Sequence, residues 1–88
     1  LLQIVDLMLN DTQKALNDKS IKMFLSNEAK KFLLKKGTDI KYGARPLRRT
    51  IERYIEDELS DKILRGELKN NQKIFIDLEN EKLTFKVE

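Results

Sequence analysis

Leu1, Val5, Met8, Leu9 and Leu16, with Thr12 among them, recur every three or four positions and predict a helix over residues 1 to about 17. Ile4 and Leu7 widen its apolar stripe enough to touch two surfaces rather than one. Asn17-Asp18-Lys19-Ser20 is turn chemistry that ends it. The period then drops to two: Ile21, Met23 and Leu25 alternate with Lys22 and Phe24, the pattern of a short half-buried strand. Ser26 is placed to cap a second helix, with Glu28 favourable in its first turn. Ala29, Phe32 and Leu33 give that helix a buried face, and Met23 and Phe32 read as core. Lys35-Lys36-Gly37 predicts its end, cations in the last turn followed by a glycine cap.

Residues 38–44 are expected to form a loop. A long helix should then run from Pro46 to about Arg65, roughly 30 Å at 1.5 Å per residue. Leu47, Ile51, Tyr54, Ile55, Leu59, Ile63 and Leu64 form its predicted buried stripe, and Gly66 ends it. Arg49, Glu52, Arg53, Glu56 and Asp57 fall opposite, as a solvated face of weak ion pairs. After Asn70-Asn71, Ile74, Ile76 and Leu78 alternate with Phe75 and Asp77. Leu83, Phe85 and Val87 alternate with Thr84 and Lys86, so a tight turn at Asn80-Glu81 should join two antiparallel strands. This order predicts an α+β fold, three main helices covering a small three-stranded, mainly antiparallel sheet.

Eighty-eight residues make a single domain, 1–88, just large enough to bury one core. Zero cysteines exclude a disulfide scaffold, and zero histidines remove the usual general base and the commonest metal ligand. No apolar run approaches the ~20 residues of a membrane span. The net charge of +3 is low for a dedicated nucleic-acid module. Because the chain opens at Leu1-Leu2 inside an apolar-periodic segment, it reads as a fragment of a longer protein.

The densest chemistry lies in Tyr42-Gly43-Ala44-Arg45-Pro46-Leu47-Arg48-Arg49. Pro46 fixes φ near the helical value, and Gly43 lets the backbone bend into the helix start. Arginines there face the positive end of the helix dipole, an unfavourable placement unless an anion arrives. Free N–H groups and a guanidinium together suit a phosphate. The plainer reading has Arg48 and Arg49 pairing with Glu52 one turn on; Arg45 has no such partner within its helix. No phosphate-cradling G-x-x-x-x-G-K-[ST] or G-x-G-x-x-G is present, and no carboxylates converge as an acid–base pair or a metal site. The domain alone should therefore catalyse nothing.

That arginine-rich segment, with Ile55-Glu56-Asp57 and Ile63-Leu64-Arg65-Gly66-Glu67, closely resembles the C-terminal small domain of the Clp/Hsp100 AAA+ unfoldases, the ClpB and ClpC family. The likeness covers nearly the whole chain: Ile4-Val5-Asp6-Leu7-Met8-Leu9 resembles the first helix and the closing hairpin the last strands. Gly43-Ala44-Arg45 followed by Pro46 matches the motif that carries the second-sensor arginine. The resemblance implies a lid over ATP or ADP. Its large subdomain, absent from this chain, would hold the Walker motifs and Mg²⁺. Arg45 would reach the terminal phosphates, Gly43, Ala44 and Pro46 would aim it, and Ile4 would pack against adenine.

Nucleotide turnover would swing the lid within a ring, usually a hexamer, that threads polypeptide substrates, with a ClpP-type protease as a further partner. Partners would be its own large subdomain and the neighbouring subunits, with neither nucleic acid nor membrane. The compartment would be a bacterial cytoplasm or an organellar lumen such as the plastid. Disaggregase (ClpB type) and protease-coupled unfoldase (ClpC type) both remain open, although Asp6-Leu7-Met8-Leu9 looks slightly more like ClpC. Two alternatives are kept beside this one: a nucleic-acid module built on Lys35, Lys36, Lys41, Arg45, Arg48 and Arg49, and an oligomerisation domain.

Overall fold

The computed structural model describes residues 2–37 and 45–88, Arg45 through its backbone alone. Helix α1 spans Leu2–Asn17 and buries Val5, Leu9, Thr12 and Leu16, the stripe that the spacing predicts. Strand β1 follows at Lys22–Leu25 and helix α2 at Asn27–Gly37. The Ser26 hydroxyl accepts the Ala29 N–H at 3.1 Å, the expected cap. The predicted loop over 38–44 lies outside the described residues.

The third helix is one rod with a defect in its middle. α-Helical turns over Arg45–Ile51 (α3) and Asp57–Leu64 (α4) flank a π-helical turn at Glu52–Glu56. It starts one residue before the predicted Pro46. The π turn has a cause in the spacing. Leu47, Ile51, Ile55 and Leu59 are all buried and all four residues apart. At 3.6 residues per turn each such step drifts by about 40°. A wider turn, in which the Asp57 N–H reaches back to the Glu52 carbonyl, takes back part of that drift and keeps the stripe on the core. Beyond it the stripe runs out. Ile63 is half-buried, and Leu64, predicted as buried, is 87% exposed.

Gly66, with φ +77°, ends the rod as predicted. Its N–H bonds the Ile63 carbonyl at 3.1 Å and the Glu67 N–H bonds the Lys62 carbonyl at 2.9 Å, a paired ending that satisfies the last turn. It also turns Leu68 into the core, 1% exposed. Gly37 works differently from the predicted cap. It is the last residue of α2, and a Cβ there would come within 2.6 Å of Leu47 Cα and 2.8 Å of Leu47 Cδ1. Glycine is there so that α2 and α3 can touch through their backbones.

The fold is α+β, with a mixed sheet in the order β1-β2-β3. Strands β2 (Lys73–Glu79) and β3 (Lys82–Val87) form the predicted antiparallel hairpin, and β1 joins β2 in parallel over the shorter stretch Lys22 to Leu25. Asn80 and Glu81 both take positive φ, 51° and 61°, the mirror-image turn whose twist suits a hairpin. The outer edge of β1 is covered: the Gln13 amide of α1 donates to the Ile21 carbonyl at 2.9 Å and accepts the Met23 N–H at 2.9 Å.

Candidate functional site

Arg45 opens α3, and α3 leads without a break into the rod. The side chain of Arg45, together with Gly43 and Ala44, lies outside the described residues. Pro46 is half-buried, and its carbonyl accepts a bond from the Thr50 hydroxyl at 2.7 Å. Leu47, wholly buried, is held against Gly37 at the end of α2. The helix start that carries the arginine is thereby fixed from inside the core.

Arg48 does not pair with Glu52 as the local spacing suggests. Its guanidinium lies 3.7 Å from the carboxylate of Asp11 on α1. Both side chains are more than half exposed, so the contact contributes little to stability, but it shows which face of α1 borders the helix start. Ile4, Leu7 and Asp11 fall on that one face, at spacings of three and four. Ile4 is 38% and Leu7 67% exposed. An apolar pair on α1, about 4.5 Å apart along the axis at 1.5 Å per residue, therefore lies one turn from the point where Asp11 meets the first turn of α3.

Two more contacts hold α1 in place. Thr12 is 5% exposed and donates its hydroxyl to Glu56 Oε2 at 2.6 Å, tying α1 to the π turn. Glu56 is thus half-buried and bonded, not part of the solvated face on which its spacing places it. Lys30 of α2 reaches Asp6 at 2.9 Å. Thr12 is visible in the sequence as a member of the buried stripe, but nothing local names Glu56, 44 positions later, as its partner. Among the described residues Arg49 is exposed and forms no ion pair.

The arrangement offers two chemically different parts along one surface. One is an N-terminal helix turn rich in arginine, suited to phosphate oxygens. The other is the Ile4–Leu7 strip, suited to an apolar ring. Among the described residues no group of three His, Cys, Asp or Glu side chains could hold a metal ion. None of the helices among them is long and apolar enough to cross a membrane.

Residues 1–76 match the family described as the C-terminal, D2-small domain of ClpB protein. The chain is 42% identical over 83 residues to the chaperone protein ClpB of Aquifex aeolicus, covering 94% of this chain and 8% of that one. It is 40% identical over 80 residues to the negative regulator of genetic competence ClpC/MecB of Bacillus subtilis, covering 91% of this chain and 10% of that one. ClpB of Rhizobium meliloti is 40% identical over 83 residues, 94% of this chain and 10% of its own. The chain thus spans about a tenth of the length of the relatives it matches, and by this match it belongs to the family of C-terminal small domains of ClpB and ClpC proteins.

Proposed function

We propose that this domain is the lid of an ATP-driven protein unfoldase. One observation carries the reading: the exposed Ile4–Leu7 strip of α1 and the arginine-bearing start of α3 border the same surface, joined where Asp11 meets Arg48. A nucleotide has this polarity, an apolar base at one end and a polyanion at the other.

In this reading Ile4 packs against adenine, Arg45 reaches the terminal phosphates, and Gly43, Ala44 and Pro46 set its direction. A large subdomain outside this chain holds Mg²⁺ and the remaining phosphate contacts. ATP supplies a phosphoryl group whose charge grows during transfer, and a guanidinium aimed at that charge lowers the barrier. Arg45 opens a helix seated on the core where Leu47 meets Gly37, so in this reading its engagement and release act on the domain through that helix. In a ring, that action is the coupling between hydrolysis and the threading of a polypeptide. The cytoplasm of a bacterial cell is the compartment this reading takes, because the three relatives described above are bacterial.

The test is Arg45→Ala in the full-length protein. ATP turnover should fall at least about tenfold while the domain keeps its helical signal. Ile4→Asp should raise the KM for ATP more than it lowers kcat, because it touches the base and not the reacting phosphate. Unchanged turnover in the arginine variant would overturn the reading.

A further inference from the structure

The outer edge of the sheet carries a pattern that the nucleotide reading leaves unused. Strand β3 is hydrogen-bonded to β2 alone, so its other side is an edge. Lys73 and Glu88 exchange both backbone bonds, at 2.9 and 2.8 Å. In an antiparallel pair such exchanges recur at every second residue, so Lys82, Thr84, Lys86 and Glu88 turn their N–H and C=O groups toward β2. Those of Leu83, Phe85 and Val87 point the other way, and among the described residues they bond no other element. The side chains of these three share the face of their register partners Leu78, Ile76 and Ile74, the face that meets the helices. They are only half-buried, because the helices stop short of β3. An open groove of about 560 Å³ lies between, lined by Leu83 and Phe85 of β3 and by Phe32 and Tyr54 of the helices.

We propose that this edge pairs with the β3 edge of a second copy of the chain, antiparallel and centred on Phe85. Only that register engages the outward groups of all three residues in both copies: Phe85 opposite Phe85, with Leu83 opposite Val87 on either side. The same register sorts the charges. On the solvent face Lys82 of each copy falls opposite Glu88 of the other. Within each copy Glu79 is already opposite Lys82, and Lys73 opposite Glu88. A row across the paired sheets therefore reads Glu79, Lys82, Glu88, Lys73, with alternating signs. The two neighbouring registers of the same hydrogen-bonding phase set Lys82 against Lys86, or Lys86 against itself, and leave one outward residue of each copy unpaired. The choice thus rests on which charges meet, not on a net charge of the face. Lysines on an edge ordinarily discourage pairing, but here neither meets another lysine across the seam. The two-fold axis stands perpendicular to the sheet, so both helix layers lie on one face, and the open groove beside each β3 keeps them apart. A two-fold contact closes on two copies and differs from the head-to-tail contact of a ring. It uses none of the residues around α3 and stands independently of the nucleotide reading.

The test is sedimentation equilibrium of the 88-residue chain from micromolar to millimolar concentration, read beside amide hydrogen exchange. The seam is short, so self-association is weak, and the mean mass should climb from 10.4 kDa toward twice that only at the upper end. The Leu83, Phe85 and Val87 amides should gain protection as concentration rises. Lys82→Glu and Glu88→Lys should each weaken association about tenfold, because each sets like charges opposite one another twice. Mixing the two variants should restore it, since each then meets its opposite sign in the other. A change confined to one copy's own fold could not do this. Both positions are exposed, and the amide spectrum checks that the fold persists. A monomer at millimolar concentration, protection that appears elsewhere and not on these three amides, or a mixture no stronger than its components would each overturn the proposal.

Discussion

Gly37 and Leu47 meet backbone to backbone: a Cβ on Gly37 would lie 2.6 Å from the Leu47 Cα. The end of α2 and the first turn of α3 are seated on each other through this pair, which fixes where the arginine-bearing helix begins. Gly37 is the last residue of α2, so it is this close approach, and not the helix interior, that calls for glycine.

Gly37→Ala should therefore destabilise the domain by about 1–3 kcal/mol despite the better helix propensity of alanine, because a backbone atom cannot rotate out of the way. Urea unfolding measures this. A more stable variant would mean that the helices are not so closely seated.

Thr12→Val should cost about 1.5–3 kcal/mol, since it leaves the half-buried Glu56 carboxylate without its hydroxyl donor. Adding Glu56→Met should recover part of the loss, and the double-mutant cycle gives the coupling directly. Additive losses would show that the 2.6 Å bond carries no specific energy.

The Asp77 carboxyl is held below its ordinary value of 3.8, first by the Ser26 hydroxyl and then by the Leu78 N–H. Such a group binds its proton more weakly folded than unfolded. It therefore adds stability above about pH 3.8 and loses that contribution as the pH falls through the lowered value. Ser26→Ala should move the Asp77 pKa back toward 3.8, as read by carboxyl NMR titration. It should also cost about 1 kcal/mol at neutral pH through the lost helix cap. An unmoved pKa would assign the shift to Leu78 alone.

Glu81 adopts φ +61°, a conformation strained for a residue with a side chain. Glu81→Gly, which makes the Asn-Gly pair that such turns favour, should stabilise the hairpin by about 0.5–1 kcal/mol in thermal or chemical unfolding. The added freedom of glycine in the unfolded chain limits the gain. A loss of stability would argue against the mirror-image turn.

Much of the fold was legible one residue at a time. The stripe Val5, Leu9, Thr12 and Leu16, the alternation through Ile74 and Ile76, the Ser26 cap and the Gly66 ending all appear where the pattern puts them. Leu64 reads as buried because it lies next to Ile63, but one residue along a helix turns the side chain by about 100°. The local pattern predicts one uninterrupted helix, although the cause of the π turn, a strict spacing of four, stands in the sequence. At the candidate site, the arginine motif and the exposed Ile4–Leu7 strip could be read. The pairing of Arg48 with Asp11 could not, because the nearer Glu52 offered an equally good local partner.

The order and kind of the elements, and the residues each turns toward the core, were determined by the sequence alone, because the two periods and the caps are set by backbone geometry within a few residues. The tertiary structure alone decided that Thr12 bonds Glu56, that Gly37 admits Leu47, that β1 runs parallel to β2, and that Phe24 stacks on Phe75. Each of those pairs joins segments remote in the chain or separated by a change of direction. Their meeting follows from how helices and sheet pack as bodies, which no local pattern encodes.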